Sequence, residues 1–264
     1  MIPQITVQLY SIREQLNQNF KGALEEIANI GFKNVEFAGY HGLNTVEVSN
    51  ILDELKLKSP SCHSGLPIGE NKNKLLDDFL ALGHKYVYTG CPPDFNKNFK
   101  TIDGIKATAE LYCEAAEFLK PHGISIGYHN HDWDLIDIEG TPGYKIFLDN
   151  TPDSVLYEAD IFWVACAGLD EVSFVKEIAS RGKVLHLKDG SFQKYETKTA
   201  EFAPADAIKF LPAGSGSINI KGVSEIYEHT ELVAVEIDRY EGDMMSAIAE
   251  SYKWLTENNI ARSE

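Results

Sequence analysis

The sequence predicts an α/β protein folded as a closed parallel (β/α)8 barrel, one domain spanning residues 1–264. Three observations predict it. Apolar runs of period two alternate with runs of period 3.6 along all 264 residues and never separate into two blocks. About eight such pairs fit into ~250 residues, the count that closes a barrel once crossovers are right-handed. The runner-up, an open doubly wound sheet, would show a Gly-rich phosphate turn after its first strand, and "LYSIREQ" is not one.

Each element follows from its own pattern. "ITVQLY" (5–10) reads as the first strand, then "NFKGALEEIANIG" as a helix that Gly31 stops, "NVEFA" (34–38) as the second strand and "TVEVSNILDELKL" as a helix. "SPSCHSG" supplies the third strand, "NKLLDDFLALG" a helix and "KYVYTG" the fourth strand. The longest helix, "IDGIKATAELYCEAAEFLK", ends at Pro121, after which "GISIGYHNH" is strand five and "GYKIFLDNT" a short helix. "SVLYEAD" is strand six, "DEVSFVKEIASRG" a helix and "KVLHLKD" strand seven. Residues 190–217 read as a loop whose length suits a lid or an association segment. "INIKGVSEIYEH" (helix), "ELVAVEID" (strand eight) and "DMMSAIAESYKWLTEN" (helix) complete the chain.

Composition narrows the function. Hydrophobic residues make up 44% and charged residues 24%, which suits a sizeable globular core. Forty acids against 24 basic residues give a formal charge of −16, so nucleic acid and anionic membrane are poor partners. The four cysteines form no CxxC pair, so neither a disulfide framework nor a thiolate zinc site is indicated. Cys62 and Cys166 read as small buried hydrophobes. "MIPQITVQLYSI" has no signal-peptide pattern, and no apolar run approaches the ~18 residues of a membrane helix. The expectation is a cytoplasmic protein. A homodimer is compatible with the sequence, which does not select it over a monomer or tetramer.

Strand parity picks out the site. Successive residues face opposite sides, so Leu185 and Leu187 oppose His186 and Lys188, and Val233, Val235 and Ile237 oppose Ala234, Glu236 and Asp238. Val155, Tyr157 and Ala159 oppose Leu156, Glu158 and Asp160; Ile124, Ile126 and Tyr128 oppose Gly127, His129 and His131; Val35 and Phe37 oppose Asn34 and Glu36. Ser61 shares its face with His63. The apolar set should meet the helices and the polar set the barrel interior. Inward acids and imidazoles without partners cost several kcal/mol, so their convergence implies an ion or a substrate that holds them. Asp160, His186 and Glu236 come from strands six, seven and eight, roughly 4.8 Å apart, and can meet at one point. Mixed oxygen and nitrogen donors without thiolate suit a divalent ion: Mn, Co, Mg or Zn. A purely structural ion-pair network is the competing reading. Of the eight histidines, His41, His63, His129, His131 and His186 fall at or just past C-terminal strand ends, where barrel active sites lie.

At the level of these stretches the chain resembles the sugar phosphate isomerase/epimerase superfamily, the xylose isomerase-like TIM barrels. The resemblance runs over nearly the whole length and is carried by "VQLYSIR", "GFKNVEFAGY", "IGYHNHDWDL", "YEADIFWV", "VLHLKDG", "PAGSGSINI" and "VAVEIDRYEGD". It implies a divalent metal, often Mn, held by Glu, Asp, His and Glu from strands five to eight; Asp160, His186 and Glu236 match three of these. The fourth departs: His129 of "GYHNH" stands where many relatives carry glutamate, which places the chain with an "HNH" branch, and Asp134 stands where that branch usually has glutamate. Many epimerases use glutamates on both sides of the sugar, so the second acid/base here is His131, Lys188 or Glu36.

The implied chemistry is removal of a proton next to the carbonyl of a ketose or keto-sugar. Glu236 is then a ligand and the candidate base, Asp160 and His186 are ligands, and His129 or His131 completes the shell or moves protons. Lys188 binds a substrate oxygen. Glu36, His63, His129 and Trp133 are candidate substrate contacts, with Trp163 a further aromatic at the rim. Glu158, one layer below Asp160, reads as a supporting partner rather than a ligand. "PAGSGS" is either a backbone cradle for phosphate or a plain turn. Three alternatives stand beside this reading: a lyase or dehydratase eliminating from a 3-keto glycoside or inosose through the same enolate, a non-catalytic sugar-binding barrel, and an endonuclease, which the charge disfavours.

Overall fold

In a computed structural model, residues 2–193, 195, 204 and 206–264 are described, and their eight parallel strands close into a barrel. The first half runs β1 (Gln4–Gln8), α1 (Arg13–Gln18), α2 (Phe20–Ile30), β2 (Asn34–Ala38), α3 (Thr45–Leu55), β3 (Lys58–His63), α4 (Lys72–Leu82), β4 (Tyr86–Thr89), α5 (Phe95–Asn98) and α6 (Ile102–Leu119). The second half runs β5 (Ser125–His129), the small hairpin β6 (Asp137–Ile138) and β7 (Thr141–Pro142), α7 (Gly143–Asp149), β8 (Leu156–Asp160), α8 (Ile161–Cys166), α9 (Glu171–Ile178) and β9 (Val184–His186). It ends with β10 (Asp189–Phe192), β11 (Ile208–Leu211), α10 (Ile220–Ser224), β12 (Leu232–Val235) and α11 (Met244–Glu257). Around the barrel the order is β1, β12, β9, β8, β5, β4, β3, β2, closed by β1 against β2.

Local chemistry sets the boundaries. The Asn44 side chain accepts from the amides of Val46 and Glu47 while Glu47 accepts from the Asn44 amide, which starts α3. Thr101 caps α6 by accepting from the Gly104 amide, and Ile105, Ala109, Tyr112, Ala116 and Leu119 then form its buried stripe. Pro121 ends that helix in a single 3-10 turn, as the sequence predicts.

Parity works as expected. Val7, Val35, Ile126, Tyr157, Leu185 and Val233 are buried between the sheet and the helices. Inside the barrel, Tyr86, Tyr88, Leu156, Val184 and Leu232 form a separate apolar plug towards the N-terminal end. Gly127 leaves room for that plug: a Cβ there would come within 2.5 Å of the Tyr88 ring.

Two stretches differ from expectation. The segment read as a loop over 190–217 contains an antiparallel hairpin, β10 on β11, with Asp189 opposite Leu211 and Phe192 opposite Ile208. Lys194, residues 196–203 and Ala205 of that segment lie outside the described residues. The seventh strand is shorter than "KVLHLKD" implies and ends at His186, because the chain turns at Asp189 into the hairpin; Leu187 still bonds to the Ala234 carbonyl, which carries Lys188 onward facing the barrel.

Candidate active site

A cavity of about 760 Å³ opens at the C-terminal end of the barrel, walled by Tyr10, Arg13, Trp163, Phe210 and Arg239 and floored by His63, His129, His131, Lys188, Glu236 and Asp238. Beneath the floor lie Glu36, Glu158, Asp160 and His186, all fully buried.

β9 and β12 deliver the centre. His186 pairs in register with Asp160 on one side and Ala234 on the other, so its ring projects into the axis. Its Nδ1 lies 2.9 Å from Glu236 and its Nε2 2.8 Å from Glu36. Burial alone would lower the imidazole, but the carboxylates of Glu158, Glu36 and Glu236 outweigh it and hold His186 well above the ordinary histidine value. His186 therefore donates from both nitrogens to carboxylates.

Lys188 is buried in a ring of acids, with Nζ 2.8 Å from Asp160, 2.9 Å from Glu236 and 3.0 Å from Asp238. Burial works against the ammonium, yet Asp160, Asp238 and Glu236 keep it charged well above the usual lysine range. Glu236 is correspondingly held well below the carboxylate range: burial pushes it up, and Lys188 and His186 overcome that. Asp238 goes the other way, raised to about 6 by burial and by Glu236 and Asp160 against the pull of Lys188.

β3, β5 and β8 form the second half of the floor. Glu158 Oε2 receives nitrogens from His63 at 2.6 Å, His129 at 3.0 Å and His186 at 3.3 Å. Burial would raise the Glu158 carboxyl, but His186 and His63 hold it well below its ordinary value. His131, past the end of β5, is lowered well below the usual imidazole value by burial and by the neighbouring His129 and Lys188, so it is neutral at pH 7. Its ring stacks on Trp133 at 5.6 Å between centroids. Asp134 holds this turn by accepting from the His131 amide and the Tyr128 hydroxyl.

Two donor groups result. His129, Asp160, His186 and Glu236 form one; His63, His129, Glu158 and His186 form the other, and in each the ligand atoms lie within 4.8 Å of one another. The donor chemistry fits a divalent ion: four buried carboxylates (Glu36, Glu158, Asp160 and Glu236) and the half-buried Asp238 surround one lysine and the imidazoles, and Glu158 Oε1 has no hydrogen-bond partner among the described residues.

The expected site residues thus mostly converge, with corrections. Asp160, His186, Glu236 and His129 meet as one group, and His63, His131 and Lys188 face the cavity. Glu36, expected to contact substrate, is sealed under the floor by hydrogen bonds from Gln8 and Ser61. Trp133 is only 1% exposed behind His131, packed on Phe95 and Phe99, and Trp163 takes the place on the wall. His41 lies away from the centre, 2.6 Å from Asn17. "PAGSGS" is no phosphate cradle, because the amides of Gly214 and Gly216, with those of Gly190 and Ile218, already bond to the Asp189 carboxylate. Sequence reasoning undervalued Glu158. The available signal was the inward parity that Glu158 shares with Asp160; its place beside His129 is set by the strand register.

No family model matches the chain, and no curated protein matches it. Solved structures do. A sugar phosphate isomerase/epimerase from Parabacteroides distasonis superposes with a TM-score of 0.79 at 20% identity, over 98% of this chain and all of that one. A protein from Bacillus anthracis described as the probable 3-DHS dehydratase AsbF, involved in petrobactin synthesis, gives 0.72 at 15% identity, over 96% and 98% of the two chains. The IOLI protein, solved with a bound zinc atom, gives 0.71 at 17% identity, over 97% and 98%. The fold is therefore that of the sugar phosphate isomerase/epimerase and xylose isomerase-like TIM barrels.

Proposed function

We propose that the protein is a metal-dependent sugar isomerase or epimerase that removes a proton next to the carbonyl of a ketose or keto-sugar. The observation that carries this reading is the meeting of Glu236, Lys188 and His131 on one cavity floor, directly above two groups of metal-ligating side chains.

The donor groups suit a single divalent ion, Mn, Co, Mg or Zn, at the edge shared by His129 and His186, with Asp160 and Glu236 or His63 and Glu158 completing its shell. Such an ion would supply a Lewis acid that polarises the substrate carbonyl. Glu236, kept ionised by Lys188, takes the proton from carbon. The electron pair moves to the carbonyl oxygen, and the Lys188 ammonium stabilises the charge that develops there. Return of the proton from Glu236 to the neighbouring carbon, with the hydroxyl proton passing from one oxygen to the other, gives isomerisation. Delivery of a solvent-derived proton to the opposite face of the same carbon through His131, while Glu236 releases the abstracted proton to solvent, gives epimerisation. Trp163 and Phe210 close the wall around a sugar-sized molecule.

The test is carbon-bound deuterium uptake from D2O into a panel of ketoses and keto-sugars, followed by NMR. Exchange that requires a divalent ion and disappears in Glu236→Gln supports the reading; exchange that survives both treatments contradicts it. The likeness to a protein described as a dehydratase supports a second reading, in which the same enolate expels a leaving group from the next carbon. Loss of water from the deuterated substrate, seen in the same spectra, would select it.

A further inference from the structure

We infer that the ion of this chain is seated in the deeper donor group, His63, His129, Glu158 and His186, and that Lys188 is the resident cation of the outer one. The inference rests on the metal-dependent reading above and decides which side chains hold the metal.

Three imidazoles, with centroids 4.6 to 5.3 Å apart, each place a nitrogen within 3.3 Å of the same oxygen of Glu158. His63 alone hydrogen-bonds that oxygen; His186 Nε2 bonds to Glu36 instead, and the buried His129 Nδ1 has no hydrogen-bond partner among the described residues. A single ion among the four would take the lone pair of the unpartnered His129 nitrogen and stand in place of the proton that His186 Nε2 shares with Glu36. Ligand atoms about 2.0–2.1 Å from a tetrahedral ion lie roughly 3.3 Å from one another. The spacings from Glu158 to His129 and His186, 3.0 and 3.3 Å, are already close to that, and only His63, at 2.6 Å, must draw back. The fully buried Glu158 has a second oxygen without a hydrogen-bond partner among the described residues, available to the same ion.

The outer group already holds a cation by ion pairing, although Asp160 Oδ2 accepts no hydrogen bond among the described residues. Lys188 Nζ lies 2.8 Å from Asp160 Oδ2 and 2.9 Å from Glu236 Oε2, bridging the two carboxylates an outer ion would use. A divalent ion bound to those oxygens would be held within a few ångströms of a buried ammonium, a repulsion that low-dielectric surroundings magnify. In the deeper seat the ion would replace imidazole protons, which can leave, rather than sit beside a fixed ammonium. That seat is also open to substrate, since His63 keeps a fifth of its side-chain surface exposed and lines the cavity with His129. Three nitrogen donors and one carboxylate favour zinc or cobalt over magnesium.

Cobalt(II) titration of the metal-free protein tests this, read by visible absorption and by metal atoms per chain, with thermal melting to verify that each variant folds. Glu158→Gln and His63→Gln should weaken cobalt binding by at least about a hundredfold, and Asp160→Asn by less than about tenfold. Magnesium should bind the wild type at least about a hundredfold more weakly than cobalt. The opposite order among the variants would overturn the placement. A wild type that takes up no cobalt would overturn both the placement and the metal-dependent reading. Binding in the expected order without deuterium exchange into any ketose would leave the placement standing and count against the isomerase reading alone.

Discussion

Lys188 shows how one side chain can stand in for part of a metal centre. Its ammonium neutralises the cluster of Asp160, Glu236 and the half-buried Asp238. Removing one partner of a buried charge network typically costs 3–5 kcal/mol, because the charge left behind is uncompensated. Lys188→Met should therefore lose about that much stability without metal and recover part of it when a divalent ion is added, since the vacated space then accepts a cation. Melting curves with and without cobalt measure this; a variant as stable as wild type, or one indifferent to metal, would count against the role given to Lys188. At this scale the sequence revealed the inward acids and imidazoles through parity alone, including His186, Glu236 and His129. It could not rank them. Glu158 and Asp160 share a face, and only the register of β8 with β5, which sets Glu158 beside His129, brings Glu158 among the histidines.

The hairpin β10–β11 is the element the sequence concealed. "GSFQKYETKTAEFAPADAIKF" is polar and Pro-containing, with no sustained alternation, so the pairing of Asp189–Phe192 with Ile208–Leu211 depends on contacts distant in sequence. The short helices α1, α5 and α8 were hidden for a different reason: at four to six residues they are too brief for a 3.6-residue period to register. Asp160 doubles as the last residue of β8 and the cap of α8, accepting from the Phe162 and Trp163 amides, so a strand end and a helix start share one residue. The anchor of the hairpin is Asp189, whose carboxylate gathers four backbone amides, and Gly216 is required beside it because a Cβ there would collide with that carboxylate. Hydrogen bonds to a charged acceptor contribute about 1.5–3 kcal/mol, so Asp189→Asn should cost an amount in that range. Amide exchange should quicken at Gly214, Gly216 and Ile218 before it does in the barrel strands. Unchanged exchange there would show that the turn is held by other contacts.

For the whole molecule, the barrel separates stability from chemistry: an apolar plug at one end, a charged floor at the other, and helices docked on the apolar parity outside. The eight-strand alternation made that architecture legible, because a parallel barrel repeats one rule eight times. Its acid sensitivity includes a group remote from the site. His84 is buried between β3 and the second βα turn, 2.7 Å from the Ser59 carbonyl and 3.2 Å from the Tyr40 hydroxyl. The carbonyl can only accept, so Nδ1 carries the proton and Nε2 accepts from Tyr40. Burial, opposed by the Ser59 bond, lowers this imidazole to about 4. The unfolded chain binds the proton near pH 6.5 and the folded chain does not, so the contribution is intact above pH 6.5 and is lost as the pH falls towards 4, by about 3 kcal/mol in total. Denaturant titrations at pH 7.5, 5.5 and 4.5 should show this decline, and His84→Gln should flatten it; an equally steep decline in the variant would remove His84 as its source.

On the proposed reading the barrel mouth is a metal centre built on His129 and His186, the two residues both donor groups share. Elemental analysis of the purified protein beside a His186→Ala variant tests it most directly. One divalent ion per wild-type chain, lost in the variant, is the expected result, whereas a wild type that is metal-free and takes up no added ion would contradict the metal-dependent reading.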